Sequence, residues 1–274
     1  MALPIALQLY SVRDQLEIDY LKTLKSVKAM GYDGVELAGL SGYKGKEVKA
    51  MLDEVGLQIM SSHVPLPEML QAPEATFREY KEAGCSYVAV PWLPEERRPE
   101  GELFEQTIQD ILMLGKIAKD NGIQLLYHNH DFEFALVNGK YALDIIYETI
   151  PAEYLGVQLD TCWAKVAGLN PVDYLKKYQG RADLVHLKDF YLNGKLTEAP
   201  YKLIGKNETK IEKPQTPSFE FRPVGYGMQD IPAIVQAAES IGSKWLIVEQ
   251  DNSTERPTLD AAKMSIDYLR NIQK

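Results

Sequence analysis

Short apolar runs of strand length alternate with segments of helical periodicity along nearly the whole chain. In the first helical segment Leu21, Leu24, Val27 and Met30 recur on one helix face, and the pattern ends at Gly31. Strands are predicted at 5–12, 32–37, 57–63, 87–90, 123–128, 155–160, 184–188 and 245–249. Helices are predicted at 20–30, 45–55, 73–83, 104–119, 142–149, 230–240 and 259–272.

This alternation favours parallel strands joined by helical crossovers, and eight such units close into a barrel. A doubly wound open sheet shows the same alternation, but it usually has a glycine-rich phosphate turn after the first strand. That position reads Leu9-Tyr-Ser-Val-Arg13 and has no glycine. We therefore predict one α/β domain over residues 1–274, a (β/α)8 TIM barrel with its active site at the C-terminal ends of the strands.

One segment interrupts the pattern after the seventh strand. Residues 191–220 are polar, contain several Lys, Thr and Pro residues, and lack helical or strand periodicity. A loop this long within a compact domain is usually functional or disordered. Its position after a strand end predicts a flap over a substrate pocket.

Composition narrows the class of protein. The chain has 274 residues with a formal net charge of −9, which disfavours a nucleic-acid partner because phosphate backbones are anionic. It has no long apolar run, and its start, Met1-Ala-Leu-Pro-Ile5, lacks the basic region of a signal peptide. Two cysteines do not form a disulfide framework. We expect a cytoplasmic protein with no membrane partner, and a homo-oligomer is compatible with these data.

Polar residues at strand ends are the candidates for chemistry, because barrel enzymes place their reacting groups there. All four histidines of the chain lie at or just past predicted strand ends, and three carboxylates do the same. These residues are His63, His128, His130 and His186, together with Glu36, Asp160 and Glu249. A single histidine in such a position is more often a hydrogen-bonded rim residue than a ligand, but the whole set indicates a site.

The period-two alternation of strands assigns four of these residues to one surface. If His128, Asp160, His186 and Glu249 face into the barrel, they converge from four consecutive strands. Two imidazoles and two carboxylates suit a divalent ion such as Zn, Mn, Co or Fe, with room left for a substrate. We therefore predict that these four residues bind one divalent metal ion.

Several short motifs resemble those of the xylose isomerase-like TIM barrel superfamily, and in particular its sugar phosphate isomerase/epimerase group. The resemblance covers essentially the whole chain, and the order of the motifs carries it. The motifs are Gln8-Leu-Tyr-Ser-Val12, Gly34-Val-Glu-Leu37, Ser62-His63, Leu159-Asp-Thr161, His186-Leu-Lys-Asp189, Pro223-Val-Gly-Tyr-Gly227 and Val248-Glu-Gln-Asp251.

The resemblance implies a metal held by Glu, Asp, His and Glu from the last four strands. The last three ligands carry over onto Asp160, His186 and Glu249, whereas His128 stands where the family has its first glutamate. Family epimerases use the two glutamates as opposed bases, which remove and return a proton next to a carbonyl. Because Glu249 alone remains here, Glu133 or a neutral His130 is the candidate for the second acid/base role.

The remaining candidates are substrate-binding residues. Glu36 is expected either to bind a substrate hydroxyl or to orient a metal-binding histidine. Family epimerases usually have His at the position of Trp163, which is a candidate for stacking on a sugar ring. The other candidates are His63, a pocket wall at Trp92, and the cations Lys188 and Arg222, which suit an oxyanion or a phosphate.

The leading hypothesis is a metal-dependent isomerase or epimerase of a sugar or keto-sugar, phosphorylated or not. The missing first glutamate makes a lyase or dehydratase acting on an oxidised sugar or inositol its main competitor, since elimination requires one base and one acid. A non-catalytic sugar-binding barrel is a further alternative. Metal nucleases also occur in the superfamily, but they need several clustered metal ions and a basic surface that faces DNA. The net charge of −9 and the presence of only four histidines disfavour that activity.

Overall fold

Eight parallel strands close into a barrel in the computed structural model, which describes residues 2–194 and 218–274. Each strand pairs with the next along the chain, and the last pairs with the first. This topology confirms the predicted fold. The barrel strands are β1 (Ile5–Gln8), β2 (Gly34–Ala38), β3 (Gln58–His63), β4 (Tyr87–Val90), β5 (Gln124–His128), β6 (Gly156–Asp160), β7 (Leu184–Leu187) and β8 (Trp245–Val248).

Helices surround the barrel and bury their apolar faces against the outward side chains of the strands. Among the described helices, none combines the length and the apolar character needed to cross a bilayer. The helices are α1 (Arg13–Ile18), α2 (Tyr20–Met30), α3 (Gly45–Val55), α4 (Leu66–Gln71), α5 (Pro73–Glu82), α6 (Phe104–Asp120), α7 (Ala142–Thr149), α8 (Thr161–Val166), α9 (Pro171–Lys177), α10 (Ile231–Ser240) and α11 (Thr258–Ile272).

The differences from the predicted elements lie mostly just after strand ends. The first strand ends at Gln8 rather than Val12, because the Gln8 side chain accepts a hydrogen bond from the Tyr10 N–H at 3.1 Å and starts a 3₁₀ turn. The helices α1, α4, α8 and α9 were not predicted. They span six or seven residues each, too few for a helical period to stand out from the sequence.

A two-stranded antiparallel hairpin stands at the C-terminal mouth of the barrel, formed by Asp189–Asn193 and Ser218–Arg222. The prediction that 191–220 lacks strand structure is therefore wrong at both ends of that segment. Aromatic contacts account for it, since Phe219 stacks on Phe190 and contacts Phe221 edge-on. The central part of the predicted flap, 195–217, lies outside the described residues.

The interior of the barrel has an apolar layer below and a polar layer above. The lower layer consists of small and aliphatic side chains: Ala6, Met60, Ala89, Leu126, Leu184 and Ile247. The upper layer lies toward the C-terminal ends of the strands, where His128, Asp160 and His186 are fully or almost fully buried. Charged and polar groups therefore lie above a dry core, at the mouth that barrel enzymes use.

A β-bulge in β3 gives this polar layer part of its content. Val35 of β2 pairs with Ile59, but Glu36 pairs with Ser61, so Met60 is an extra residue in the ladder. Met60 packs in the apolar layer, whereas the Ser61 hydroxyl donates a hydrogen bond to Glu36 Oε1 at 2.5 Å. Two consecutive side chains therefore face the interior.

Candidate active site

Four predicted ligands converge at the mouth of the barrel. His128 ends β5, Asp160 ends β6, His186 lies within β7 and Glu249 directly follows β8. Each offers one ligand atom, and these atoms all lie within 4.8 Å of one another. The inward parity predicted for the four strands is thus the parity of the structure.

The chemistry of this set fits a divalent cation. Asp160 Oδ2 is buried and forms an ion pair with the Lys188 ammonium at 3.0 Å, while no hydrogen bond from the described residues reaches it. His128 Nε2 lies 3.6 Å from Asp160 Oδ2 and 3.9 Å from Glu249 Oε2. Burial, and then His186 and His63, lower the pKa of His128 well below its ordinary value, so its imidazole is neutral, as a metal ligand must be.

His186 is held between two carboxylates. Its Nδ1 lies 2.9 Å from Glu249 Oε2 and its Nε2 lies 2.7 Å from Glu36 Oε2. Burial by itself would lower the pKa of His186, but Glu36 and Glu249 outweigh it and raise the pKa to about 10. The bond to Glu36 leaves Nδ1 facing the ligand cluster, which is the arrangement of a carboxylate that orients a metal-binding histidine.

The contacts of Glu36 are those of a carboxylate that orients a metal-binding histidine, which is one of its two predicted roles. Its carboxylate is fully buried and accepts hydrogen bonds from Gln8 Nε2 at 2.8 Å, from Ser61, and from Gln158 Nε2 at 2.6 Å. Burial would raise its pKa, yet His63 and His186 hold it well below the ordinary value. With both oxygens engaged by protein groups, Glu36 orients His186 and does not line the cavity.

Lys188 is buried and is not among the lining residues of the cavity. Its side chain is 1% exposed, and Nζ lies 3.0 Å from Asp160 Oδ2, 2.9 Å from Glu249 Oε2 and 3.0 Å from Asp251 Oδ2. Burial would lower the pKa of Lys188, but Asp160, Asp251 and Glu249 raise it well above the ordinary value. The predicted contact with a substrate oxyanion or phosphate is corrected accordingly, because three carboxylates surround the ammonium group.

Glu249 is the ionised carboxylate of the site. Burial would raise its pKa, but the Lys188 ammonium and then His186 hold the pKa well below its usual range. The neighbouring Asp251 differs, since burial raises its pKa to about 6 although Lys188 acts in the opposite direction. Glu249 is therefore ionised at neutral pH, as a general base must be.

The cavity above the ligand cluster has a volume of about 400 Å³. Of the predicted site residues, His63, Trp92, His128, His130 and Glu249 line it. Further lining residues were missed, among them Tyr10, Glu68 and Asp251. The signal for Asp251 was present, because it lies two residues past Glu249 and would share the face of Glu249 if the alternation of the eighth strand continued beyond the strand end.

His130 and Glu133, the two candidates for the second acid/base role, occupy different environments in the structure. His130 lines the cavity, and burial followed by Lys188 lowers its pKa well below the ordinary value. Glu133 lies outside the cavity lining, where its carboxylate accepts hydrogen bonds from Tyr127 Oη at 2.6 Å and from the His130 N–H at 2.8 Å. We therefore carry His130 forward as a candidate acid/base, and Glu133 as the anchor of the turn that presents it.

Replacing Glu133 with Gln is expected to flatten the pH dependence of stability. Burial raises the pKa of Glu133 from 4.5 to about 8, although Tyr127 acts against this. A carboxyl group with a raised folded pKa supports folding below its unfolded pKa and loses that contribution as the pH rises toward the folded pKa. Between pH 5 and 8 the unfolding free energy of the wild type should fall by roughly a few kcal/mol more than that of E133Q.

Urea unfolding at each pH measures this difference. Glu100 is an exposed glutamate, and E100Q should follow the wild-type curve. Parallel curves for E133Q and the wild type would mean that Glu133 is ionised in the folded protein throughout this range.

Trp163 and Arg222 are not among the lining residues of the cavity. Trp163 is fully buried, with its ring centroid 5.4 Å from that of His130 and 5.3 Å from Lys188 Nζ, so it packs behind the site instead of presenting a stacking face. Arg222 lies on the mouth hairpin, and its Nη2 donates to Glu220 Oε2 at 2.5 Å. Burial of Trp163 behind the site corrects the substrate-stacking prediction, whereas oxyanion binding by Arg222, whose side chain is partly exposed, stays a prediction.

Comparisons with known proteins agree with this architecture. A family model for the xylose isomerase-like TIM barrel matches residues 24–272. An inosose dehydratase from Geobacillus kaustophilus is 24% identical in an alignment covering 90% of this chain and 85% of that protein. An inosose dehydratase from Mesomycoplasma hyopneumoniae is 30% identical over 62% of this chain and 54% of its own length. The solved structure of a sugar phosphate isomerase/epimerase from Parabacteroides distasonis has a TM-score of 0.79, with 23% identity and 100% of both chains covered.

Proposed function

Because the chain belongs to the xylose isomerase-like TIM barrel family, we propose that it is a divalent-metal-dependent lyase that dehydrates a small keto-polyol. One observation carries the proposal: carboxylates line one side of the cavity, and imidazoles line another. The buried carboxylates of the described lining, Glu249 and Asp251, both follow β8, whereas the buried lining groups from β5 are the imidazoles of His128 and His130. Elimination requires one carboxylate base, which this arrangement provides.

The metal would be held by His128, Asp160, His186 and Glu249. A divalent ion there supplies Lewis-acid stabilisation of the negative charge that develops on the substrate carbonyl oxygen. The four residues fit this role because two imidazoles and two carboxylates converge in a buried site.

The chain's own residues account for the proton transfers. Glu249 accepts the proton from the carbon next to the carbonyl, and the C–H electron pair moves toward the carbonyl oxygen. When the carbonyl re-forms, the C–O bond at the next carbon breaks. The protonated Glu249, whose proton can exchange with solvent while the enolate persists, then gives a proton to the departing oxygen, so that water and an unsaturated ketone result. The neutral imidazole of His130 is available to hold the leaving hydroxyl in a hydrogen bond.

The sequence relatives support the same substrate class, since the compared relatives carry the name inosose dehydratase. The described lining of the cavity contains no lysine or arginine, which favours an uncharged substrate over a phosphorylated one. Inosose and neutral keto-sugars are therefore the first compounds to test.

An isomerase or epimerase is the second candidate, and His130 is the observation that favours it. A neutral imidazole on the β5 side can take or return a proton opposite Glu249, which is the second base that epimerisation requires. Both candidates share the first proton transfer and differ in the fate of the resulting enolate.

Incubation in deuterated water distinguishes the two reactions. Chelator-treated protein, with and without added Mn, is mixed with inosose and neutral keto-sugars and followed by NMR. We expect Mn-dependent deuterium incorporation together with a product that has lost water. Incorporation with an epimer or an isomer as product would favour the second candidate. Absence of both Mn binding and exchange would favour a non-catalytic barrel.

Replacing His128 with Gln tests the ligand that departs from the family pattern. The amide is a weaker ligand than imidazole, so we expect Mn affinity to fall by roughly tenfold to a hundredfold. Exchange per metal-loaded enzyme should change much less, because Glu249 is still present. Calorimetric Mn titration and the exchange assay measure the two effects. H130Q, a matched histidine change outside the ligand set, is the control for the Mn titration. Unchanged Mn affinity in H128Q would remove His128 from the set.

We further propose that residues 1–274 act as one cytoplasmic domain. Contacts between the two ends of the described chain support this, since Tyr32 Oη donates to the Ala262 carbonyl at 2.8 Å and Gln273 Nε2 to the Leu3 carbonyl at 3.0 Å. Cys85 and Cys162 are both free and buried, as expected in a reducing compartment.

A further inference from the structure

Lys188 binds the same oxygen atoms that a metal ion at this site would use. Its Nζ lies 3.0 Å from Asp160 Oδ2 and 2.9 Å from Glu249 Oε2, and these two carboxylates belong to the candidate ligand set. The side chain is 1% exposed, so water does not screen these ion pairs. The ligand set therefore already contains a cation that the sequence itself provides.

Buried carboxylates need such a cation. Two unpaired carboxylates held this close in a buried site would repel each other and lose their hydration. Lys188 prevents this before any metal binds. Its Nζ lies 5.3 Å from the Trp163 ring centroid and 5.9 Å from the Phe221 ring centroid, so these aromatic rings help to fix the position of the ammonium group.

Asp251 gives the ammonium a third partner that is outside the ligand set. Asp251 Oδ2 lies 3.0 Å from Lys188 Nζ. If a metal ion binds Asp160 and Glu249 and neutralises part of their charge, the ammonium still has the Asp251 carboxylate as its counter-ion. The arrangement allows Lys188 to share the ligands with the metal without being left unpaired.

We propose that Lys188 is a built-in counter-ion of the metal site, which holds Asp160 and Glu249 together in the metal-free protein and lowers the affinity for the divalent ion by sharing their oxygens. The proposal rests on the proposed metal dependence. It makes Lys188 a positioning residue that sets metal affinity, with no contact to substrate required.

The K188M variant tests this proposal through metal binding and stability. Methionine keeps an apolar stem against Trp163 and Phe221 but removes the charge. We expect calorimetric Mn affinity to rise by on the order of tenfold or more, because the two ligand carboxylates lose their competing cation. The melting temperature of metal-free K188M should fall, and Mn should raise it by more than it does in the wild type. K165M removes an exposed lysine of α8 and should match the wild type in both measurements.

A second variant covers the case in which metal-free K188M does not fold. In D251N the ammonium depends on Asp160 and Glu249 alone, so it should compete more strongly and weaken Mn binding severalfold. The control is E68Q, which removes a lining carboxylate that makes no ion pair with Lys188 among the described residues. E68Q should weaken Mn binding much less than D251N does.

The outcomes separate this proposal from the proposed function. Mn binding by the wild type with equal or weaker binding by K188M, or equal effects of D251N and E68Q, would overturn the counter-ion role and leave metal dependence intact. If the wild type fails to bind Mn while K188M binds it, the counter-ion role is supported and metal dependence of the natural protein is overturned. Failure of both proteins to bind Mn would overturn both.

Discussion

Replacement of Glu249 with Gln is expected to lower deuterium exchange into substrate by on the order of a hundredfold or more, the scale of general-base catalysis. The amide keeps the shape of the side chain and one oxygen donor, but it cannot accept the proton. Glu249 is available for the role because Lys188 and His186 hold its pKa low despite burial and so keep it ionised. NMR detection of exchange, normalised to bound Mn, measures the effect.

Metal binding should also weaken in E249Q, since Glu249 is one of the four candidate ligands. Saturating Mn separates this loss from the loss of the base. E68Q, a change at another lining carboxylate, is the control and should retain most of the exchange. If E249Q kept full exchange while E133Q lost it, the base would lie in the segment after β5, and the resemblance to epimerases would have assigned deprotonation to the wrong side of the substrate.

Replacement of Glu36 with Gln is expected to damage both stability and metal binding. The carboxylate is fully buried and contacts His186 Nε2 at 2.7 Å and His63 Nε2 at 3.2 Å. Removing one partner of a buried ion pair costs about 3–5 kcal/mol. Loss of a carboxylate that orients a metal-binding histidine weakens metal binding by roughly tenfold to a hundredfold. Urea unfolding and Mn titration measure the two quantities.

An exposed ion pair provides the comparison for E36Q. Glu148 lies 2.7 Å from Lys140, with both side chains more than half exposed, so E148Q should change the unfolding free energy by less than about 1 kcal/mol. If E36Q lost stability while Mn affinity per folded molecule stayed unchanged, Glu36 would be a structural group without influence on His186. A partial return of Mn affinity in E36D would support the orienting role.

The sequence predicted the barrel and the convergence of His128, Asp160, His186 and Glu249 for a simple reason. Strand periodicity fixes which side chains face inward, and parallel topology brings all strand ends to one mouth. Strand periodicity does not show whether an inward side chain lines the cavity or is buried away from it. Periodicity places Lys188 on the same strand face as His186. Its burial depends on the three carboxylates around its ammonium group, and one of them, Asp251, lies beyond the strand end, where periodicity no longer applies.

The environment of Glu36 illustrates the same limit. Its inward position follows from its strand, whereas its contacts come from four other strands, and no local pattern encodes them. Glu133 shows the opposite case, in which short sequence distance suggested a shared site. The turn after β5 reverses the chain, so that Glu133 bonds Tyr127 on the outward face of the strand while His130 lines the cavity.

The bulge at Met60 and Ser61 bears on how this chain is compared with its relatives. Below the bulge the inward residues of β3 follow one parity, and above it they follow the other, which is how both Met60 and His63 come to face the interior. A relative with an unbulged strand would present the residue aligned with Ser62, rather than that aligned with His63, to its cavity. Gap-free alignment through this strand would then equate positions with opposite orientations. Deletion of Met60, by contrast, would remove the extra residue and leave Ser61 and His63 paired as they are now, facing the interior.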